Sequence, residues 1–315
     1  MIGAILAGGF GKRLRPVANN IPKALITIKD EYTIMDRQLL DFSGVGIKDV
    51  YVLSGHLGEK IEERYGKESR GIRMHYLKEE KPMGTLYSVR NLISTFGEED
   101  IILRNGDTVT DVNLKKFIEF SRASQYGLVI FVIKMRSPFG IVDLLGDQVG
   151  SFKEKPLLNY YMNAGLYYIK KSIFDVFLRE YLEKDIERTA FPELAAAKLI
   201  GAYKEDTFWI GVDSEKEMEQ VREEYKNRTD YTWGYKKTIV DDKNFEISDY
   251  FIKSEETVEF HLGDNDIFKV VYGSGVLINQ DHRVLKENEI TYAKGELKFK
   301  ALSNSVAETI ISCKL

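Results

Sequence analysis

From Met1 to about Asn227, short runs rich in β-branched residues alternate with stretches of helical period. Such a pattern is satisfied by laying strands side by side and returning through helices. The spacing predicts strands at Ile2 to Leu6, Asp49 to Leu53, Ile72 to Leu77, Asp100 to Arg104 and Tyr126 to Ile133. Between them, apolar residues at i, i+3 and i+4 predict helices at Ile34 to Phe42, Lys60 to Tyr65, Thr85 to Thr95 and Leu114 to Ser124. A further helix is expected from Glu215 to Lys226, its charged side turned to water. The fold class is therefore α/β: a Rossmann-like, mostly parallel sheet flanked by helices.

The texture changes after Trp233. Every proline lies at or before Pro192, and from Thr238 onward short alternating strands are broken by Gly263-Asp264-Asn265, Gly273-Ser274-Gly275, Asn279-Gln280-Asp281 and Gly295. Residues 1–230 are read as one domain and 235–315 as a smaller all-β domain. The second part carries no hexapeptide repeat, which argues against a left-handed β-helix.

Composition limits the partners. Lys and Arg total 45 against 49 Asp and Glu, a formal charge of -4, so no global basic field recruits nucleic acid or an anionic membrane. Cys313 is the only cysteine, and the chain opens straight into a strand without a charged leader, so a cytoplasmic protein is expected. The longest compact apolar run, Leu128 to Ile133, is far short of the ~20 residues that span a bilayer.

The chemistry begins where the first strand ends: Leu6-Ala7-Gly8-Gly9-Phe10-Gly11-Lys12-Arg13-Leu14-Arg15-Pro16, then Pro22-Lys23-Ala24-Leu25. A glycine-rich turn exposes backbone N–H groups and admits phosphates closely, while Arg13, Arg15 and Lys23 supply positive charge. A Walker A loop would need glycine in place of Leu6 and Ser or Thr in place of Arg13. A dinucleotide loop would need a small residue in place of Leu14.

The pattern G-G-x-G-x-R-L-R-P followed by P-K-A-L resembles the signature of the sugar-phosphate nucleotidyltransferases, or nucleotide-sugar pyrophosphorylases. Further blocks similar to that family follow in order: Glu80-Lys81-Pro82-Met83-Gly84-Thr85, Asn105-Gly106-Asp107, Phe152-Lys153-Glu154-Lys155-Pro156, Asn163-Ala164-Gly165 and Trp209 to Asp213. The resemblance implies nucleotide binding by Leu6, Ala7, Gly8, Gly9, Gly11, Lys23, Glu80 and Gly84, with Arg13 and Lys23 as catalytic cations. It implies a sugar-phosphate pocket from Gly106, Glu154, Lys155, Asn163 and Gly165, and Mg²⁺ held by Asp107 and Asp213. The implied substrates are a nucleoside triphosphate and a hexose 1-phosphate.

The residues themselves bear on each role. Asp107 ends an apolar strand, at the sheet edge where α/β proteins bind ligands. Asp213 follows a second apolar stretch, although Asp213-Ser214-Glu215 also reads as a helix N-cap. Pro156 should hold Lys155 extended, sending Glu154 and Lys155 to opposite sides. His56 and His75 lie in no motif and read as surface or packing residues.

Two departures stand out. Relatives that act on sugars carry an Asp where this chain has Gly211, and Trp209 to Ser214 is more similar to the closing block of cytidylyltransferases acting on phosphocholine or inositol phosphate. Gly84-Thr85 is followed by Leu86-Tyr87-Ser88 where many relatives have small residues. The base thus stays open, as does the alternative of a non-catalytic regulatory subunit. The C-terminal part is similar in outline to a cupin, through Gly273-Ser274-Gly275-Val276, Lys286-Glu287-Asn288 and Ala293-Lys294-Gly295. His261 and His282 are too few for a metal-bearing cupin. Alternation in Phe268, Val270 and Tyr272 suggests an outward apolar face for packing or for a homo-oligomer.

Overall fold

The computed structural model describes residues 1–9, 20–81, 83–280, 282–292 and 294–312. Its contacts divide the chain into two compact units, Met1–Ile26 with Ile47–Ser214, and Thr27–Gly46 with Glu215–Leu315.

In the first unit the five expected strands form, at Ile2–Ala7, Asp49–Ser54, Ile72–Lys78, Ile101–Asn105 and Leu128–Arg136. They lie in one eight-stranded sheet with Leu157–Ile169, Ile200–Lys204 and the short Glu68–Ser69. Ile2–Ala7 pairs in parallel with Asp49–Ser54 on one side and Ile101–Asn105 on the other. The chain order therefore reverses at the first strand, and the crevice beyond the carboxyl ends of these neighbours is where such sheets bind ligands. Strands covered on both faces read as near-continuous apolar runs, which is why Ile2–Ala7 and Asp49–Ser54 are buried almost throughout. Ala4, Tyr51, Leu103, Leu128 and Tyr167 pack with Val89 and Leu92 of helix Thr85–Phe96 in one core.

Leu157–Ile169 runs antiparallel to both neighbours. Before it, Ile141–Leu145 and Gln148–Lys153 form a hairpin whose residues are nearly all exposed. Helix Leu114–Ala123 starts where Asn113 Oδ1 accepts from the Lys116 N–H at 3.1 Å, an N-cap.

In the second unit, helix Ile34–Gly44 begins in a capping box. Thr33 Oγ1 accepts from the Asp36 N–H at 3.1 Å, and Asp36 accepts from the Thr33 N–H at 2.9 Å. This helix, helix Glu215–Tyr225 and the strands after them belong to the same unit. One reason is a buried charge network: Arg37 bonds Asp41 at 2.6 Å, Lys253 bonds Asp41 at 3.2 Å, and Arg228 bonds Asp230 at 2.8 Å. Charges taken out of water require such partners.

Among the described residues, the strands that follow helix Glu215–Tyr225 form two antiparallel sheets. Six strands run in the order Arg228–Tyr231, Gly234–Asp241, Phe245–Ile252, Ser305–Ser312, Ile267–Tyr272, Ile290–Thr291. Four run Thr257–Leu262, Gly295–Ala301, Ser274–Leu277, Arg283–Lys286. Val258, Phe260 and Leu262 alternate inward while Glu259 and His261 face out. Both sheets feed one core, since these residues pack with Phe268, Val270, Leu285 and Phe299. The expectation that Phe268 and Val270 are displayed outward is thus corrected. They are fully buried in the unit's own core, and only Tyr272 is exposed, at 60%. Alternation fixes which residues share a face, and the second sheet then covers the face that Phe268 and Val270 share.

Candidate functional site

Two neighbouring strands deliver the site. Beyond Ile2–Ala7 the chain exposes Gly8 and Gly9, and beyond Ile101–Asn105 it continues into Gly106 and Asp107. The Gly106 N–H donates to the Leu6 carbonyl at 2.9 Å, and a Cβ at Gly106 would stand 2.6 Å from that oxygen. Only glycine lets the two backbones meet there.

Asp107 and Asp213, distant in sequence, are brought together by a short ribbon. Thr108–Thr110 pairs antiparallel with Trp209–Gly211 so that Thr108 faces Gly211, and the Val212 N–H donates to the Asp107 carbonyl at 2.8 Å. Trp209 Nε1–H donates to the Ala164 carbonyl at 2.8 Å and ties the ribbon to the main sheet. Lys23 comes from a 3₁₀ turn, Lys23–Leu25, closed by the Leu25 N–H on the Pro22 carbonyl. Its Nζ lies 3.0 Å from Asp107 Oδ2 and also donates to Asp213 Oδ1. Burial, the strongest single influence, lowers the affinity of this ammonium for its proton. The charges and hydrogen bonds of Asp107 and Asp213 together outweigh burial and hold its pKa above the ordinary lysine value.

Beside this cluster opens a cavity of about 310 Å³ lined by Leu6, Gly8, Gly9, Gly84 and Asp107, all of them expected site residues. Gly84 has φ +90°, and a Cβ there would lie 2.4 Å from the Lys184 carbonyl oxygen. Glycine is thus required just ahead of helix Thr85–Phe96, in whose first turn the Leu86 N–H donates to the Lys184 carbonyl at 2.9 Å. Ala7 is buried at the strand end and does not line the cavity. Glu80 lines an adjoining cavity of about 380 Å³ together with Gly8, Gly55, His56, Glu79 and Lys81. Gly11 and Arg13 lie outside the described residues, as does Arg15.

Sequence reasoning missed Glu79, Asp185 and Glu187, and gave no role to Ser88 and Asn105 although both stand in or beside the motifs; all five also line the first cavity. Glu79 is fixed by the Met83 N–H at 3.2 Å and by the Ser88 hydroxyl. Thr85 Oγ1 accepts from the Ile186 N–H at 2.9 Å, holding the acidic segment against the helix start. No periodic signal pointed to Asp185 and Glu187, because they flank the buried Ile186 at a short 3₁₀ turn, Ile186–Arg188.

The sugar-side residues are arranged differently from expectation. Lys155 adopts φ +43°, not the extended conformation, and its Nζ stands 3.7 Å from Glu154 Oε1. The two side chains are therefore neighbours, because the chain must turn sharply between strands Gln148–Lys153 and Leu157–Ile169. The Lys155 carbonyl accepts from Arg136 Nη1 at 3.2 Å. Both side chains are exposed and line neither cavity. Asn163 donates to the Tyr167 hydroxyl at 2.9 Å and accepts from the Gly165 N–H at 3.0 Å. Gly165, at φ +72°, lies against the Asn105 side chain. His75 bonds Asp49 at 2.9 Å and stacks on Tyr51, a packing role, whereas His56 lines the second cavity.

Among the described residues no group of three or more His, Cys, Asp or Glu is placed to hold a metal. The pair Asp107 and Asp213 nevertheless fits Mg²⁺, which takes one or two carboxylates and completes its shell with water and phosphate oxygens. No helix among the described residues is long and apolar enough to cross a membrane.

The chain is similar to known proteins in sequence and in fold. A D-glycero-α-D-manno-heptose 1-phosphate guanylyltransferase of Aneurinibacillus thermoaerophilus is 30% identical over 205 residues, 61% of this chain and 87% of that protein. A mannose-1-phosphate guanyltransferase of Yarrowia lipolytica is 27% identical over 228 residues, 69% of this chain but 62% of that protein's length. The solved structure of HddC from Yersinia pseudotuberculosis, complexed with GMP-PN, superposes with a TM-score of 0.55 at 22% identity, covering 71% of this chain and 100% of that one. That likeness is one of fold. The nucleotidyl transferase family matches residues 2–227, and the chain belongs to it.

Proposed function

We propose that this protein transfers a nucleotidyl group, guanylyl in the first instance, from a nucleoside triphosphate to a hexose or heptose 1-phosphate, releasing pyrophosphate with the help of Mg²⁺. The observation that carries the reading is the convergence of Asp107 and Asp213 on Lys23 beside the glycine-lined cavity. The names of the relatives, guanylyltransferases of sugar 1-phosphates, support the choice of base and acceptor.

An oxygen of the sugar phosphate attacks the α-phosphorus. The new P–O bond forms as the bond to the pyrophosphate oxygen breaks. A phosphate monoester has its second pKa near ~6 and is already anionic at neutral pH, so the protein needs no general base. What it must supply is positioning of two mutually repelling anions and neutralisation of charge at the α-phosphoryl and leaving groups. Mg²⁺ bound by Asp107 and Asp213 would neutralise phosphate charge and align the reacting groups. Lys23 and Arg13 hold the triphosphate; Gly8, Gly9, Gly11 and Gly84 allow close approach, with Leu6, Ala7 and Glu80 around the nucleoside. Lys155 orients the sugar phosphate, Glu154 meets sugar hydroxyls, and Gly106, Asn163 and Gly165 complete that pocket. Residues 1–230 would form the catalytic domain, acting in the cytoplasm. Residues 235–315 would form a cupin-like domain, a reading supported by their two antiparallel sheets over one core, and would serve assembly into a homo-oligomer.

A pyrophosphate-release screen crossing the common nucleoside triphosphates with hexose and heptose 1-phosphates, phosphocholine and inositol phosphate tests the reading. The expected maximum is GTP with a sugar 1-phosphate. Strict use of CTP with an alcohol phosphate would overturn the substrate choice, and release with no pair would favour a regulatory subunit. Lys155→Ala should raise KM for the sugar phosphate roughly tenfold, the scale of a lost charged hydrogen bond, and leave KM for the nucleotide unchanged. A defect confined to the nucleotide would show that the sugar pocket lies elsewhere.

A further inference from the structure

The ammonium of Lys23 stands between the two carboxylates proposed to hold the metal. It lies 3.0 Å from Asp107 Oδ2 and donates to Asp213 Oδ1, so one positive charge already bridges the two carboxylates. The Lys23 side chain is only 16% exposed, whereas Asp213 is 53% exposed and opens the pair to solvent. Mg²⁺ needs carboxylate oxygens at about 2.0–2.1 Å and has little tolerance for distorted geometry. An ammonium and a divalent cation cannot both occupy the space between these oxygens, and at such separation they repel.

We infer that Lys23 is an internal competitor for the metal site, displaced from Asp107 and Asp213 when a divalent cation binds and then free to pair with phosphate oxygens. A lysine suits this exchange. Its charge sits on a flexible four-carbon stem, so Nζ can swing between carboxylate and phosphate while the 3₁₀ turn stays in place. The protein alone then binds metal weakly, because expelling the ammonium leaves it without a partner. A bound triphosphate offers that partner, so nucleotide and metal favour one another's binding, and by linkage the coupling is reciprocal. This inference rests on the metal-assisted reading proposed above, and it adds that Lys23 lowers metal affinity while it promotes nucleotide binding.

The test is titration of the full-length protein with Mn²⁺ without nucleotide, following free ion by electron paramagnetic resonance. Lys23→Met keeps the stem and removes the charge; it should bind Mn²⁺ about tenfold more tightly than the unaltered protein, or better. Lys23→Gln, which retains a hydrogen-bond donor, should also bind more tightly, and it serves as the probe if thermal unfolding shows the methionine variant to be misfolded. Adding Asp107→Asn to either variant should abolish the gain. Unchanged or weaker affinity in a folded Lys23 variant would overturn the inference, as would a gain that survives Asp107→Asn. Pyrophosphate release by the unaltered protein is measured in parallel. Release without any gain in the variants sinks the exchange alone. A gain without release upholds the exchange and sinks the catalytic reading.

Discussion

Asp107→Asn should lower nucleotidyl transfer by about 10²-fold or more, with far-ultraviolet circular dichroism and thermal midpoint nearly unchanged. The amide preserves shape and can still accept a hydrogen bond from Lys23, so the fold has little reason to respond. What it removes is one negative charge from the pair proposed to attract a divalent cation. The backbone that presents Asp107 does not depend on that side chain. Its carbonyl is held by the Val212 N–H, and Gly106 is held by Leu6. Pyrophosphate release at saturating Mg²⁺ provides the measurement. Retention of full activity would remove Asp107 from the metal shell.

Phe299→Ala should destabilise the second unit by about 3–5 kcal/mol, the range for truncating a buried phenylalanine. Phe299 is fully buried at the meeting of the two sheets, with its ring centroid 5.3 Å from that of Phe268. The position is shaped around the ring: a Cβ at Gly275 would stand 2.1 Å from Phe299 Cζ. Gly275 has no side chain to refill that space, so the transfer and cavity costs add. Urea unfolding of the full chain, followed by a probe in the antiparallel strands, reads the change. A loss below about 1 kcal/mol would mean that the two sheets do not share one close-packed core.

How far the sequence could be read depended on how local each determinant is. The strand Ile2–Ala7 is a short continuous apolar run and helix Thr85–Phe96 carries its own period, and the end of each differs from expectation by one residue. The hairpin Ile141–Leu145 and Gln148–Lys153 carried no such pattern, since nearly every residue is exposed and alternation has nothing to distinguish. Strand Leu157–Ile169 is exposed over its first half and buried over its second, which blurs any single period. The conformation of Lys155 was misjudged because the preference imposed by Pro156 yielded to a tight reversal of the chain.

Within the site, motif order pointed to Asp107, Asp213 and Lys23 separately. The resemblance already implied that Asp107 and Asp213 meet at one metal; that Lys23 bridges them was not legible, because it follows from a ribbon pairing Thr108 with Gly211 and from contacts 84 and 190 residues apart. Asp185 and Glu187 were overlooked for a similar reason, since a segment far along the chain is fastened to Thr85. Phe268 and Val270 show the same limit from the other side: parity was readable, but which sheet would cover that face was not.

The central claim is that two remote carboxylates and one lysine form a single nucleotidyl-transfer centre, and Asp213→Asn tests it most directly. Helix Glu215–Tyr225 starts two residues later, which puts Ser214 rather than Asp213 at its N-cap, and asparagine keeps the shape and an acceptor oxygen, so a purely structural Asp213 would tolerate the change. Pyrophosphate release from GTP and the preferred sugar 1-phosphate, measured over a Mg²⁺ titration, is expected to fall at least about tenfold and to require more Mg²⁺. Unaltered release with an unaltered Mg²⁺ requirement would contradict the account.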